Sequence, residues 1–193
     1  MTAETIPRLN VTHSYFVPSP LSEIKYGKMR FLISDRPNDF SLENYAKELE
    51  KHNTKAVVRV CEPTYQPSVL TQHGIDFLDW QFDDGAPPPK EVIEKWINLV
   101  KDCFKVHPDG TASIAVHCVA GLGRSPLLVA IALLEAGMSC NDAVEMIRSQ
   151  RRGALNERQL EFLRSYKPSG QLRKLRRFSY EDGDKQRKSC NIM

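Results

Sequence analysis

Apolar positions along this chain alternate between two spacings, one suited to strands and one to helices. Residues 29–34 (MRFLIS), 55–61 (KAVVRVC) and 112–118 (ASIAVHC) are short apolar runs of the kind that fill a strand buried on both faces. Residues 12–17 (THSYFV) and 75–80 (IDFLDW) also read as strands. Between them the period lengthens. Leu42, Tyr45, Ala46 and Leu49 share a helix face behind a predicted N-cap at Ser41. Residues 83–89 (DDGAPPP) form a stiff turn, with Pro89 suited to the first turn of a helix over about 90–107 carrying Val92, Trp96, Ile97, Val100 and Phe104. The next helix, 124–137, has Pro126 in its first turn and is apolar nearly all round, which predicts a central position. Ser139 and Asn156 are predicted to cap the last two helices.

Strands alternating with helices predict an α/β fold with a central, mostly parallel, twisted sheet flanked by helices. Residues 1–10 read as a flexible lead, 11–168 as one domain, and 169–193 as a basic tail in which periodicity is lost. A chain of 193 residues suits one such domain and can bury a core without disulfides or metals. The net charge of +3 is mild and gives no reason to expect a nucleic-acid partner. Five cysteines without regular spacing or a leader argue against a secreted disulfide framework and for a cytosolic protein. No CxxC or HExxH spacing is present, so neither metal nor cofactor is expected.

The chemistry concentrates at residues 114–126, IAVHCVAGLGRSP. Cys118 follows the most buried predicted strand, where α/β sheets bind ligands. The loop Val119, Ala120, Gly121, Leu122, Gly123 can turn backbone N–H groups inward as an anion nest ahead of a helix N-terminus. Arg124 adds a two-pronged phosphate clamp. The same donors favour the Cys118 thiolate, making a nucleophile that accepts phosphoryl groups. Protonating the leaving group requires an acid, for which Asp83-Asp84-Gly85 is the candidate segment. Ser125 either caps the helix or donates to the Cys118 sulfur, stabilising it as a leaving group.

The segment HCVAGLGRSP resembles the catalytic loop of cysteine-dependent protein tyrosine phosphatases. With MRFLI, VVRVCEPTY, FLDWQFDDGAPPP, DAVEMIRSQRRGALNERQL and the C-terminal box, the chain resembles the phosphatase of regenerating liver (PRL) family from about residue 25 to 170. That resemblance implies a dual-specificity-like cysteine-phosphatase fold acting on phosphoproteins, with Cys118 as nucleophile, Arg124 as clamp, Asp84 as general acid and His117 orienting the loop. It also implies that Cys61 forms a disulfide with Cys118 under oxidation. Two departures stand out: Ser125 replaces the alanine usual in animal members, and Gln81 replaces a proline in the acid loop.

The ending Cys190-Asn191-Ile192-Met193 reads as a box for farnesylation, with the methylation that accompanies it, and the basic residues before it supply the second signal for stable anchoring. Expected localisation is the cytoplasmic face of plasma and endosomal membranes, or cytosol and nucleus without the lipid. The resemblance also implies a rival role, docking a CNNM-type magnesium transport mediator with slow catalysis. A phosphoinositide phosphatase is a weaker alternative, because the loop lacks the lysines of lipid phosphatases. A homo-oligomer is left open.

Overall fold

The computed structural model describes residues 21–177. The predicted strand at 12–17 and the ending at Cys190 lie outside the described residues. Among the described residues five strands, β1 (Ser22–Tyr26), β2 (Met29–Ser34), β3 (Thr54–Arg59), β4 (Asp76–Asp79) and β5 (Ser113–His117), form one sheet in the order β1-β2-β5-β3-β4. β2, β5, β3 and β4 run parallel, and β1 adds an antiparallel edge through a hairpin. Sequence pattern had not singled out β1, whose residues SEIKY are mostly polar.

Among the described residues six α-helices cover the sheet: α1 (Leu42–Lys51), α2 (Ser68–Gln72), α3 (Lys90–Val106), α4 (Arg124–Glu135), α5 (Cys140–Gln150) and α6 (Glu157–Ser165). Alternation along the strands divides the core in two. Phe31, Ile33, Ala56, Val58, Ile114 and Val116 face the larger cluster with α3 to α6, while Leu32, Val57 and Ala115 face the smaller one under α1 and α2. This explains the continuous apolar runs: each central strand is covered on both sides. α4 is buried along its whole length, as its all-round apolar face required. Trp96 fixes α3 to it by donating its indole N–H to the Leu128 carbonyl at 2.6 Å.

Two of the expected caps form as predicted. Ser139 accepts from the Asp142 N–H, and Asn156 accepts from the Gln159 N–H within a full capping box. Ser41 does not cap α1. Its backbone is already helical at φ −96° and ψ −10°, and its hydroxyl instead accepts the Asn38 N–H at 3.0 Å. Asn38 Oδ1 in turn accepts the Ser41 N–H at 2.9 Å, so the turn begins earlier than the pattern suggested.

Packing also continues past residue 168. Leu172 is fully buried, and the Lys28 N–H donates to the Leu175 carbonyl at 2.8 Å. The buried Glu135 carboxylate accepts from the Tyr166 and Ser169 hydroxyls and from the N–H groups of Ser169, Gly170 and Gln171. Those donors outweigh the effect of burial and hold its carboxyl below the usual range. The first residues of the basic segment are thereby fastened to the end of α4.

Candidate active site

The sheet places the site at the carboxyl ends of β3 and β5. Arg59 pairs with His117 in register, and the Val60 N–H donates to the His117 carbonyl at 3.1 Å. Cys61 and Cys118 therefore leave the sheet side by side, and both are free and buried.

The loop from Cys118 to Gly123 is held from outside. His117 Nδ1 lies 3.4 Å from the Cys118 carbonyl, and the Arg36 N–H donates to that of Val119 at 3.1 Å. Arg151 donates to the Ala120 and Gly121 carbonyls, each at 2.8 Å. The Leu155 and Leu127 N–H groups take the carbonyls of Leu122 and Gly123 at 2.7 and 3.1 Å. Each carbonyl in the loop thus has a partner behind it, which leaves the N–H groups to face inward. Gly121 is required here. Its φ is +65°, and a Cβ would lie 2.5 Å from both the Ser34 carbonyl oxygen and Arg151 Nη2.

Cys118 receives those donors. Burial pushes its thiol pKa up, but the Ser125 hydroxyl and the N–H groups of Ser125, Gly123 and Gly121 stabilise the thiolate more, so it lies below the ordinary value. The Ser125 Oγ–Sγ distance is 3.4 Å, and Ser125 makes no side-chain cap to α4. His117 is fully buried, and desolvation brings its pKa down to about 4, so it is neutral near pH 7. Tyr65 Oη lies 2.6 Å from its Nε2. The hydroxyl donates to Nε2, which leaves Nδ1–H to donate to the Cys118 carbonyl. His117 therefore orients the loop and supplies no positive charge.

Arg124, the first residue of α4, is buried. Nη1 donates to the Phe82 carbonyl at 3.1 Å and lies 3.5 Å from Glu62 Oε1. Nε is 3.3 Å from Asp84 Oδ1, near enough for ion pairing but not aligned for a hydrogen bond. The acid segment thus brings Asp84, still 75% exposed, to the arginine, while the Asp83 carbonyl closes the turn onto the Ala86 N–H. Asp84, Cys118, Val119, Ala120, Leu122, Gly123, Asn156 and Gln159 line a cavity of about 380 Å³. A larger open hollow of about 680 Å³ between β1 and α5 holds none of these residues.

Cys61 sits beside the site at 0% exposure, and burial drives its thiol up to about 11 against the opposing pull of Arg124. Cys103 and Cys140 are half-buried against the core, consistent with packing. Sequence reasoning missed Arg151, Tyr65 and Gln159. Arg151 reads as one more charge in a basic run, and Tyr65 lies in an irregular segment. Gln159 carried a signal, standing three residues after the Asn156 cap.

Comparison with known proteins agrees with this geometry. Residues 40–168 match the dual specificity phosphatase catalytic-domain family. Protein tyrosine phosphatase type IVA 2 of Mus musculus is 49% identical over 156 residues, spanning 81% of this chain and 92% of its own. PRL-1 phosphatase of Drosophila melanogaster is 46% identical over 175 residues, spanning 91% and 93%. A solved structure of a putative protein tyrosine phosphatase from Leishmania major superposes with a TM-score of 0.70 at 38% identity, covering 77% of this chain and 99% of that one. With a buried thiol ringed by N–H donors and relatives so extensively aligned, the chain belongs to the dual specificity phosphatase catalytic-domain family, among the type IVA (PRL) protein tyrosine phosphatases.

Proposed function

We propose that the chain dephosphorylates phosphoproteins in two steps on Cys118. The thiolate attacks phosphorus, the ester P–O bond breaks, and the leaving oxygen takes a proton from Asp84. Water then forms a new O–P bond, gives a proton to Asp84, and the S–P bond breaks to restore the thiolate. Arg124 and the inward N–H groups hold the phosphoryl oxygens throughout. Ser125 donates to sulfur as negative charge returns to it. The observation that carries this reading is the thiolate-stabilising set of donors around Cys118, next to a buried guanidinium. Intact mass spectrometry after brief mixing with p-nitrophenyl phosphate should show a phosphocysteine adduct on the native chain and none on Cys118→Ser. No adduct and no turnover from the native chain would overturn it.

Two regulatory features belong to the same reading. Peroxide converts the Cys118 thiolate to a sulfenic acid, and Cys61 then attacks that sulfur with loss of water to form a disulfide. Their adjacent exits from β3 and β5 support this pairing. The raised pKa of Cys61 makes its attack slow near neutrality. Farnesylation at Cys190 with the basic tail would place the enzyme on a cytoplasmic membrane face. No helix among the described residues is long and apolar enough to cross a membrane.

A second reading, docking of a CNNM-type transport mediator at the same pocket, draws support from the loop's rim. Val119 and Leu122 are 39% and 41% exposed there, although apolar. A partner that loses affinity for Val119→Glu while phosphocysteine formation persists would establish docking as separable from turnover.

A further inference from the structure

Four large apolar side chains are exposed among the described residues: Phe40, Val106, Val119 and Leu122. Val106 closes α3, roughly 25 Å along that helix from the end that follows the acid segment. The other three gather at one rim. Val119 and Leu122 follow β5, and Phe40 follows β2, its parallel neighbour in the sheet. Single exposed apolar residues need no explanation, whereas a group beside a binding pocket does. Phe40 is the extreme member, at 98% exposure.

The fold holds Phe40 in that place. Ser34 ends β2 and meets both neighbours: its carbonyl oxygen is 2.5 Å from where a Cβ on Gly121 would lie, and its hydroxyl is 3.1 Å from Tyr45 Oη. The Tyr45 N–H donates to the Ser41 carbonyl at 2.9 Å. The first turn of α1, which begins just after Phe40, is therefore set against the Cys118 loop. On the other side of Phe40, the Arg36 N–H holds the Val119 carbonyl, Pro37 is buried, and Asn38 and Ser41 bond each other in both directions. Four residues span at most about 14 Å, so the Phe40 backbone lies within that distance of Arg36. A ring presented by so well-tied a turn has already lost the freedom that a partner would otherwise have to remove.

We propose that Phe40 selects among phosphoprotein substrates by packing on a large apolar residue roughly four positions from the phosphorylated one, at about 3.4 Å per extended residue. This rests on the phosphoprotein reading above and names which substrates that site prefers. A substrate chain with its phosphate in the pocket must cross the rim, first over Val119 and Leu122 and then toward the β2–α1 turn. The charges around that path favour a peptide over a bilayer. Asp39 is exposed beside Phe40, and the Glu62 and Asp84 side chains near the pocket are 57% and 75% exposed. An anionic lipid surface would be repelled by these carboxylates, and a peptide carrying an apolar side chain would not.

The test uses phosphotyrosine peptides in which a single leucine is walked through a glycine–serine background. For the native chain, kcat/KM should rise about tenfold with leucine at one position or two adjacent ones, the low end for an apolar contact at a specificity site. Phe40→Ser should flatten that profile while kcat/KM for the leucine-free peptide and for p-nitrophenyl phosphate stays within about twofold. Phe40→Trp, which keeps an apolar ring, should retain the rise. A side chain this exposed supports little of the fold, so the melting temperature of Phe40→Ser should match that of the native chain. A flat profile from the native chain, or a leucine preference that survives Phe40→Ser, would overturn the proposal. It would equally be overturned if Phe40→Ser kept its peptide profile but lost binding to phosphatidylserine vesicles, or fell from oligomer to monomer in sedimentation. Those results would assign the ring to a bilayer or to a second copy of the chain. Absence of turnover on every phosphopeptide and on p-nitrophenyl phosphate would instead sink the two-step reading, a result distinct from the others.

Discussion

The Cys118 loop and the Asp84 segment face the same cavity but are built to opposite standards. From Cys118 to Gly123 each backbone carbonyl has a donor behind it, and the ring of N–H groups is fixed before any phosphate arrives. The acid segment has far fewer ties. Its turn closes through the Ala86 N–H, Asp84 bonds its neighbour's N–H at 3.1 Å, and the Phe82 carbonyl meets Arg124. The difference fits the tasks proposed for the two segments. Charge stabilisation loses most of its value if the dipoles must reorganise, whereas an acid must reach leaving groups of different size. On the proposed mechanism, rigidity is concentrated where charge develops and relaxed where a proton is delivered.

The largest expected break in this contrast is on the rigid side. Arg151→Met removes both donors behind Ala120 and Gly121, at a residue that touches no reacting atom. It should lower kcat/KM by about two orders of magnitude for every substrate, the size of effect reported when a single oxyanion donor is lost. The Cys118 thiol should titrate at a higher pH, read by the pH dependence of iodoacetamide alkylation. Unchanged alkylation in a folded variant would mean that the loop holds its shape without Arg151.

Asp84→Asn tests the looser side and should depend on the substrate. With an alkyl phosphate, whose leaving oxygen must be protonated, activity should fall by roughly 30-fold, within the usual range for general acid catalysis. With p-nitrophenyl phosphate the first step should change by no more than about threefold. A uniform loss across leaving groups would assign Asp84 to holding Arg124, its neighbour at 3.3 Å, rather than to proton transfer.

Ser125→Ala returns to the rigid loop with a smaller effect. A hydrogen bond to a charged partner contributes about 1.5–3 kcal/mol, and the bond at 3.4 Å is long even for sulfur, so the lower end applies. Phosphocysteine decay should slow by about tenfold in quenched-flow mass spectrometry. Unchanged decay would leave Ser125 a packing residue, since it makes no side-chain cap to α4.

Legibility in the sequence followed the same division. The central strands and α3 to α6 were readable because burial on both faces imposes apolar runs and helical stripes that nothing else explains. The strand, glycine loop and helix start that hold Cys118 and Arg124 were readable because they are local in sequence. Long-range support was not. Arg151 reaches the loop across 30 residues and Tyr65 reaches His117 across 52, and a buried guanidinium or hydroxyl has the same letter as an exposed one. β1 escaped because an edge strand with few buried residues lacks the apolar pattern. Ser41 misled for a related reason: the Asn38 side chain, three residues away, captured its N–H and moved the start of the turn.

The finest test concerns Gln81, an exposed residue between Trp80 and the buried Phe82. Trp80 ends the strand region by donating its N–H to the Arg59 carbonyl at 2.9 Å, and Phe82 begins the contact with Arg124. The residue between them therefore sets the angle at which the acid segment leaves β4. A proline there fixes φ and restricts the residue before it to extended backbone, which suits a position just after a strand. Gln81→Pro should stabilise the fold by about 0.4–1 kcal/mol, mainly by reducing the freedom of the unfolded chain. It should also narrow the range of positions open to Asp84. For an alkyl phosphate this predicts a rise in the first-step rate of about twofold, with no change for p-nitrophenyl phosphate, which does not need the acid. If the variant is more stable yet equally active on both, the looseness of the acid segment originates beyond residue 82, in the turn formed by Asp83 to Ala86. If it is destabilised, Gln81 has a backbone angle that proline cannot adopt, and the glutamine is retained for the shape of the loop rather than for its mobility.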